Sequence, residues 1–448
     1  MAPFPLALLP VLLAACSPAP TLDCQVTPSP AGAPTATVTW TTDTPAQGLV
    51  RYGTDGDLDV ETQAALATAH SHLLLGLPPE ALVDWEAEVD LDGDLVTCAG
   101  SVSTEPLPTW VTPVEVTAPW QGESQGAWMA AVFELGTYAS QVLVFDRQGV
   151  VRWYHEAEDE RFVVDVQPAA DGQGLLHNQF HNRFSEDVGL VRHLSWEGQV
   201  LADTATPAAH HMFVQLPDGG LAWQAIDARA WTDPDSGETQ TLVGDAILQV
   251  DAAGTTTQAW NAWDWLTPQE NGFSSLPSIY PQGVDWTHGN ALQYDEGDDT
   301  WLLSLGNAGS VLTIDRGSGE PARIVGAYGL PVAAGSPALE HQHDPTWLSA
   351  DRLLVFDSHF DELVSSAYEY TLVDGELVLS WQYTPEESLF AVILGQAQRL
   401  SDGGTWVNFG SAGVIEEVDA AGALRWRARL DGAHGFAQVR WLPDFPTP

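Results

Sequence analysis

Residues 341–357 read HQHDPTWLSADRLLVFD. Five residues after His343 the stretch enters an apolar, aromatic and β-branched run, which predicts a strand. The layout recurs in residues 210–223, HHMFVQLPDGGLAW, where His211 stands five residues before Leu216 just as His343 stands five before Leu348. A third copy, DWTHGNALQYDEGDDTWLLSL at 285–305, carries His288 six residues before Tyr294. Three histidines in matching places of a repeated unit call for one explanation.

Working outward, the unit containing Leu216 and Leu348 occurs six times, at 166–176, 215–223, 293–303, 346–356, 398–407 and 439–445. It alternates with a hairpin of the form strand, Asp, Gly, strand, such as VLVFDRQGVVRW at 142–153 and IEEVDAAGALRW at 415–426. The hairpin glycines fall at 149, 198, 254, 319, 375 and 422, a period long enough for four strands. All-β self-similarity at that period, with turn residues every few positions, predicts a six-bladed β-propeller over residues 125–448. The first hairpin lacks a preceding inner strand and the last inner strand lacks a following hairpin. The C-terminal strand is therefore expected to complete the first blade and leave no free edge.

The chain has 448 residues, 61 acidic and 15 basic, for a net charge of −46; every basic residue is arginine. Such a surface repels nucleic acid and anionic headgroups, so neither is expected as a partner. Beyond roughly 8 Å salt screens this field, so an anionic small molecule remains compatible with a suitably lined pocket.

Residues 1–16, MAPFPLALLPVLLAAC, form a short apolar run closed by Leu13-Ala14-Ala15-Cys16, which resembles the lipobox of a bacterial lipoprotein signal. On that reading Cys16 is lipidated, 17–23 is a tether, and the chain is exported to the cell envelope, touching membrane only through its anchor. The remaining cysteines, Cys24 and Cys98, are expected to pair, closing a loop worth about 4 kcal/mol on a chain-entropy argument. Between them TATVTW, GLVRYG, HSHLLLGL and DWEAEVDLDGDLVT alternate as short strands do, and the segment 24–105 resembles a fibronectin type III-like β-sandwich. His70 and His72 read as exposed strand histidines. Residues 106–124, rich in proline at the start, read as a linker and approach to the propeller.

In a propeller the first strand of each blade lines the axis, so His211, His288 and His343 are expected to meet at one mouth of the channel. His341 reads as a loop neighbour. Three imidazoles there suit a transition metal with an open position, or a nucleophile with partners that hold an oxyanion.

At these residues the sequence resembles the bacterial arylsulfate sulfotransferase family, exported six-bladed propellers that move a sulfuryl group from a phenolic sulfate ester to a phenol. The resemblance rests on HHMFVQLPDGG, DWTHGNALQYD with SVLTIDR, and QHDPTWL with LLVFD. It implies that His343 is a nucleophile forming a sulfohistidine and that His211 and His288 bind the sulfuryl oxygens and assist proton transfer. It further implies that Asn290 supports the substrate, that the substrates are small aryl sulfates and phenols, and that neither a cofactor nor the nucleotide sulfate carrier PAPS is needed. Where the family carries an arginine, this chain has Gly306 or Asn307, and Asn307 is expected to supply a neutral donor in its place. Asp344 is expected to act behind the nucleophile. Two other readings remain: a metal-dependent hydrolase or lyase built on the three histidines, and a non-catalytic ligand-binding propeller.

Overall fold

The computed structural model describes residues 22–29, 33–63, 65–91, 93–122, 125–158, 161–181, 189–268, 280–360 and 362–448. The apolar leader 1–16, its Cys16 and most of the tether lie outside these residues. The chain divides into two units, an N-terminal one and a larger one that runs to the C-terminus.

The N-terminal unit holds two antiparallel sheets. One orders Gln25–Pro28, Ala36–Ala46 and Ala67–Leu74; the other orders Val60–Gln63, Gly48–Thr54, Leu82–Leu91 and Asp94–Ser103. Alternation in Leu82–Leu91 buries Val83, Trp85, Ala87 and Val89 and turns the residues between them outward. Cys24 and Cys98 form the expected disulfide, with Cα atoms 6.3 Å apart. His70 and His72 are not exposed: both stack on Trp40, at 4.7 and 4.8 Å between centroids. Alternation puts both on one strand face, and that face is the inner one. Burial, helped by His70, lowers the pKa of His72 to about 4.

The larger unit is a six-bladed β-propeller of antiparallel sheets. Its innermost strands are His434–Leu442 in blade 1, Val166–Pro168 in blade 2 and Ala209–Gln215 in blade 3. Gly289–Asp295, Gln342–Ser349 and Gln396–Arg399 follow in blades 4 to 6. Blade 1 is closed as the sequence predicts: His434–Leu442 pairs with Ala127–Glu134, so the first and last strands of the ring share a sheet. Within the 106–124 linker, Glu115–Ala118 is itself a strand and extends blade 6 by pairing with Leu424–Arg429.

Apolar residues on both faces of each sheet pack against the neighbouring blades, and a separate buried cluster fills each blade-to-blade interface. Between blades 6 and 1 the cluster is aromatic, with Trp128 edge-on to Trp406 at 5.3 Å and stacked with Trp426 at 5.6 Å. Side-chain amides add stitches near the axis. Asn178 Nδ2 donates to the carbonyl of His211, Asn290 Nδ2 to Gln342 at 2.8 Å, and Asn408 Nδ2 to Ala437 at 2.6 Å. Each amide satisfies a carbonyl freed where the next inner strand departs from regular pairing.

Candidate active site

Three successive inner strands begin with the same backbone device. His211, His288 and Asp344 adopt left-handed conformations, with φ of 51°, 50° and 44°. The ladder slips just there, between His210 and Phe213, Gly289 and Ala291, and His343 and Thr346. A non-glycine residue in this region costs of order 1 kcal/mol or more and persists only where its surroundings impose it. Counting residues back from Leu216 and Leu348 aligns His343 with His211, but the backbone aligns Asp344 with His211. The discrepancy arises from a second slip, between Trp347 and Ser349, that residue counting does not register.

The side chains nevertheless meet. Rings of His211 and His288 lie 5.1 Å apart, His288 and His341 5.2 Å, and His341 and His343 5.2 Å, so four imidazoles form a continuous row, buried at His211, His341 and His343 and slightly exposed at His288. His341 is therefore a member of the site rather than a loop neighbour. It sits two residues from His343 in extended chain, which puts both side chains on one side. At the other end His210 joins the row, 5.1 Å from His211, and Tyr280 packs on His210 at 5.8 Å. The aromatic pair Phe360 and Phe390 stands beside His341.

Electrostatics divide the row. His288 Nδ1 lies 2.6 Å from Asp285 Oδ2, and the His288 backbone N–H donates to Asp285 Oδ1 at 3.0 Å. Burial alone would lower the pKa of His288, but Asp285 and, further off, Asp245 outweigh it and raise it. The other three rings go the opposite way. Burial first, then neighbouring imidazoles, push His211 and His341 well below 6.5 and bring His343 to about 3. The site thus combines one imidazole inclined to hold a proton with three that stay neutral. Nε2 of His343 is buried and has no hydrogen-bond partner among the described residues. No three His, Cys, Asp or Glu side chains among these residues come together as metal ligands would.

The remaining residues singled out from the sequence lie around this row. Asn290 is buried and spends its amide on the Gln342 stitch between blades 4 and 5. Asn307 donates to the Asp285 carbonyl at 3.1 Å, so it braces the partner of His288. Gly306 packs so closely that a Cβ there would stand 2.7 Å from Asn290 Nδ2. Asp344 does not back His343. Its left-handed backbone turns the carboxylate into a different cavity of about 360 Å³, where Gln293 donates to it at 2.9 Å and Gln396 at 3.4 Å. Burial raises the pKa of Asp344 to about 6 against the pull of Arg440 and both glutamines.

Four side chains that contact the row or belong to it escape the sequence reading: His210, Asp245, Asp285 and His341. The doublet at 210–211, the HQH alternation and an acid three residues before His288 were visible signals. Asp245 had none, because it stands on the third strand of blade 3. The same strand, Thr239–Val250, pairs in parallel with Val284–Asp285 and so brings both acids to the site.

These features define a propeller with a buried histidine row at the start of three inner strands. Residues 124–328 match the family model of the arylsulfotransferases (ASST), a transferase family to which the chain is similar over that span. His211, His288, Asn290 and Asn307 fall inside the span, whereas His341, His343 and Asp344 lie beyond it. No curated protein matches the chain. Among solved structures it is similar to the periplasmic gluconolactonase PpgL of Pseudomonas aeruginosa, with 13% identity over 72% of this chain and 99% of that one and a TM-score of 0.40. It is also similar to apo AztD from Citrobacter koseri, with 11% identity over 89% and 98% and a TM-score of 0.34. A third likeness is to the β-propeller domain of the trilobed protease from Pyrococcus furiosus, with 9% identity over 96% and 99% and a TM-score of 0.31.

Proposed function

We propose that this protein moves a sulfuryl group from a phenolic sulfate ester to a phenol, without PAPS, through a sulfohistidine on His343. The observation that carries this reading is the contrast between His343 and His288 within one row of rings. A nucleophilic imidazole must be neutral, and His343 stays so far below neutral pH, with a buried Nε2 that carries no competing hydrogen bond among the described residues. A phenolate leaving group needs a proton, and the Asp285–His288 pair is built to hold one. In the first half-reaction His343 Nε2 forms an N–S bond as the S–O bond to the phenol breaks, and His288 Nε2–H protonates the departing oxygen. The neutral ring of His341 between them keeps the developing charge in a water-poor setting where each donor acts strongly.

The match to the arylsulfotransferase family model over residues 124–328 supports the reaction class. The disulfide supports an exported protein, since such bonds persist in oxidising compartments. Residues 1–16 support a lipid anchor at Cys16 in the bacterial envelope. The three-plus-four strand order of the N-terminal unit supports a fibronectin type III-like sandwich.

A chromogenic aryl sulfate and a phenol acceptor test the reading. Wild-type protein should release one equivalent of phenol in a burst and then turn over only with acceptor, and His343→Ala should abolish both. Wild-type protein that transfers nothing from a broad panel of aryl sulfates sinks the proposal.

A further inference from the structure

At the far end of the row His210 touches no part of the chemistry described so far, yet it is buried and held on two sides. Its Nε2 lies 2.9 Å from Asp245 Oδ1, and its Nδ1 lies 2.8 Å from His211 Nδ1 and, further off, 3.3 Å from the Tyr280 hydroxyl. Asp245 is fixed in turn: its Oδ2 accepts from the Thr287 hydroxyl and, at 2.7 Å, from the Gly289 N–H. Glycine is required at 289, because a Cβ there would stand 2.5 Å from Asp245 Oδ1. A carboxylate accepts only, so a neutral His210 at this ion-pair distance turns the N–H at Nε2 toward Asp245 and keeps its Nδ1 lone pair. Two nitrogens 2.8 Å apart need one proton between them, and His211 Nδ1–H supplies it. An imidazole whose proton sits on Nδ1 carries its lone pair on Nε2.

We infer that Asp245 and His210 are positioning residues that fix the tautomer of His211 and make its Nε2 the base for the acceptor phenol. The inference rests on the sulfuryl-transfer reading and alters one part of it: His211 takes a proton and does not donate to a sulfuryl oxygen. In the second half-reaction the acceptor O–H gives its proton to His211 Nε2. Its oxygen forms the new S–O bond as the N–S bond to His343 breaks. His211 has then gained a proton and His288 has lost one. Their rings are 5.1 Å apart, so a transfer from His211 to His288 restores the starting state. The acid and the base of the cycle are thus separate groups, each oriented by its own carboxylate, Asp285 for His288 and Asp245 through His210 for His211.

Two measurements test this. Ring nitrogen–proton correlation spectra of ¹⁵N-histidine-labelled wild-type protein should show His211 protonated at Nδ1. His210→Leu and Asp245→Asn should lower transfer to phenol by about 10²-fold or more, the usual worth of a positioned base. They should lower transfer to a nitrophenol already ionised at the assay pH by less than 10-fold, and the donor burst should fall far less than transfer to phenol. His211 protonated at Nε2 in the wild type, or equal losses with the two acceptors, overturns the relay. Wild-type protein that never releases phenol overturns the transferase reading instead, and the relay then stands or falls on the tautomer alone.

Discussion

His288 and His343 belong to one row of rings yet hold protons on very different terms, and one carboxylate makes the difference. The donor burst should therefore stay level as pH falls through mildly acidic values, because His343 is not protonated until about pH 3. It should decline as pH rises through the elevated pKa of His288, where the acid loses its proton. Asp285→Asn removes an opposite charge that typically shifts a partner by one to three pKa units, so the alkaline limb should move by about that much toward lower pH. The pH–rate profile of the burst checks this, and an unmoved limb would separate Asp285 from the acid role. At this scale the sequence was only half legible. The three histidines of the matching segments were readable from their spacing, and so was their convergence. Which of them would be charged was not, because burial and the Asp285 contact are properties of the fold. Asp344 misled for a related reason: adjacency in sequence says nothing of direction once the backbone turns left-handed at that residue.

At the scale of the strand, each site residue depends on an irregularity at the head of an inner strand and on the amide that stitches it to its neighbour. Gly306 is the tightest point of that construction. Gly306→Ala would drive a methyl group into Asn290 Nδ2, and the amide would have to leave the Gln342 carbonyl. The expected cost is about 1–3 kcal/mol, from a lost buried hydrogen bond and local overpacking, readable by denaturant unfolding. An arginine at 306 would meet the same obstacle, so Asn307, already braced against the Asp285 carbonyl, is the nearer place for any donor. The alternating hairpins and inner strands were plain in the sequence, because repeated apolar runs and the Asp and Gly of their turns are local signals. The slips in register were not. They come from how one blade meets the next, and a count of residues passes over them.

For the whole molecule the decisive feature is that the ring is closed by strands from its two ends. This was foreseeable from the order of repeated elements alone, since an unmatched hairpin at one end and an unmatched strand at the other complete each other. Without residues 434–448 the strand Ala127–Glu134 would face solvent as an open edge, and Phe436 and Val439 would leave the aromatic cluster between blades 6 and 1. Deletion of that segment should yield a chain that aggregates or fails to fold, measured by gel filtration and circular dichroism. A monomeric, fully folded deletion product would contradict the closure argument. The same arrangement bears on the order in which the ring forms. The 127–134 strand is made early and its partner comes about 300 residues later, so the ring cannot lock while synthesis is under way. The last strand thus acts as a latch that engages only after the rest of the ring has been made.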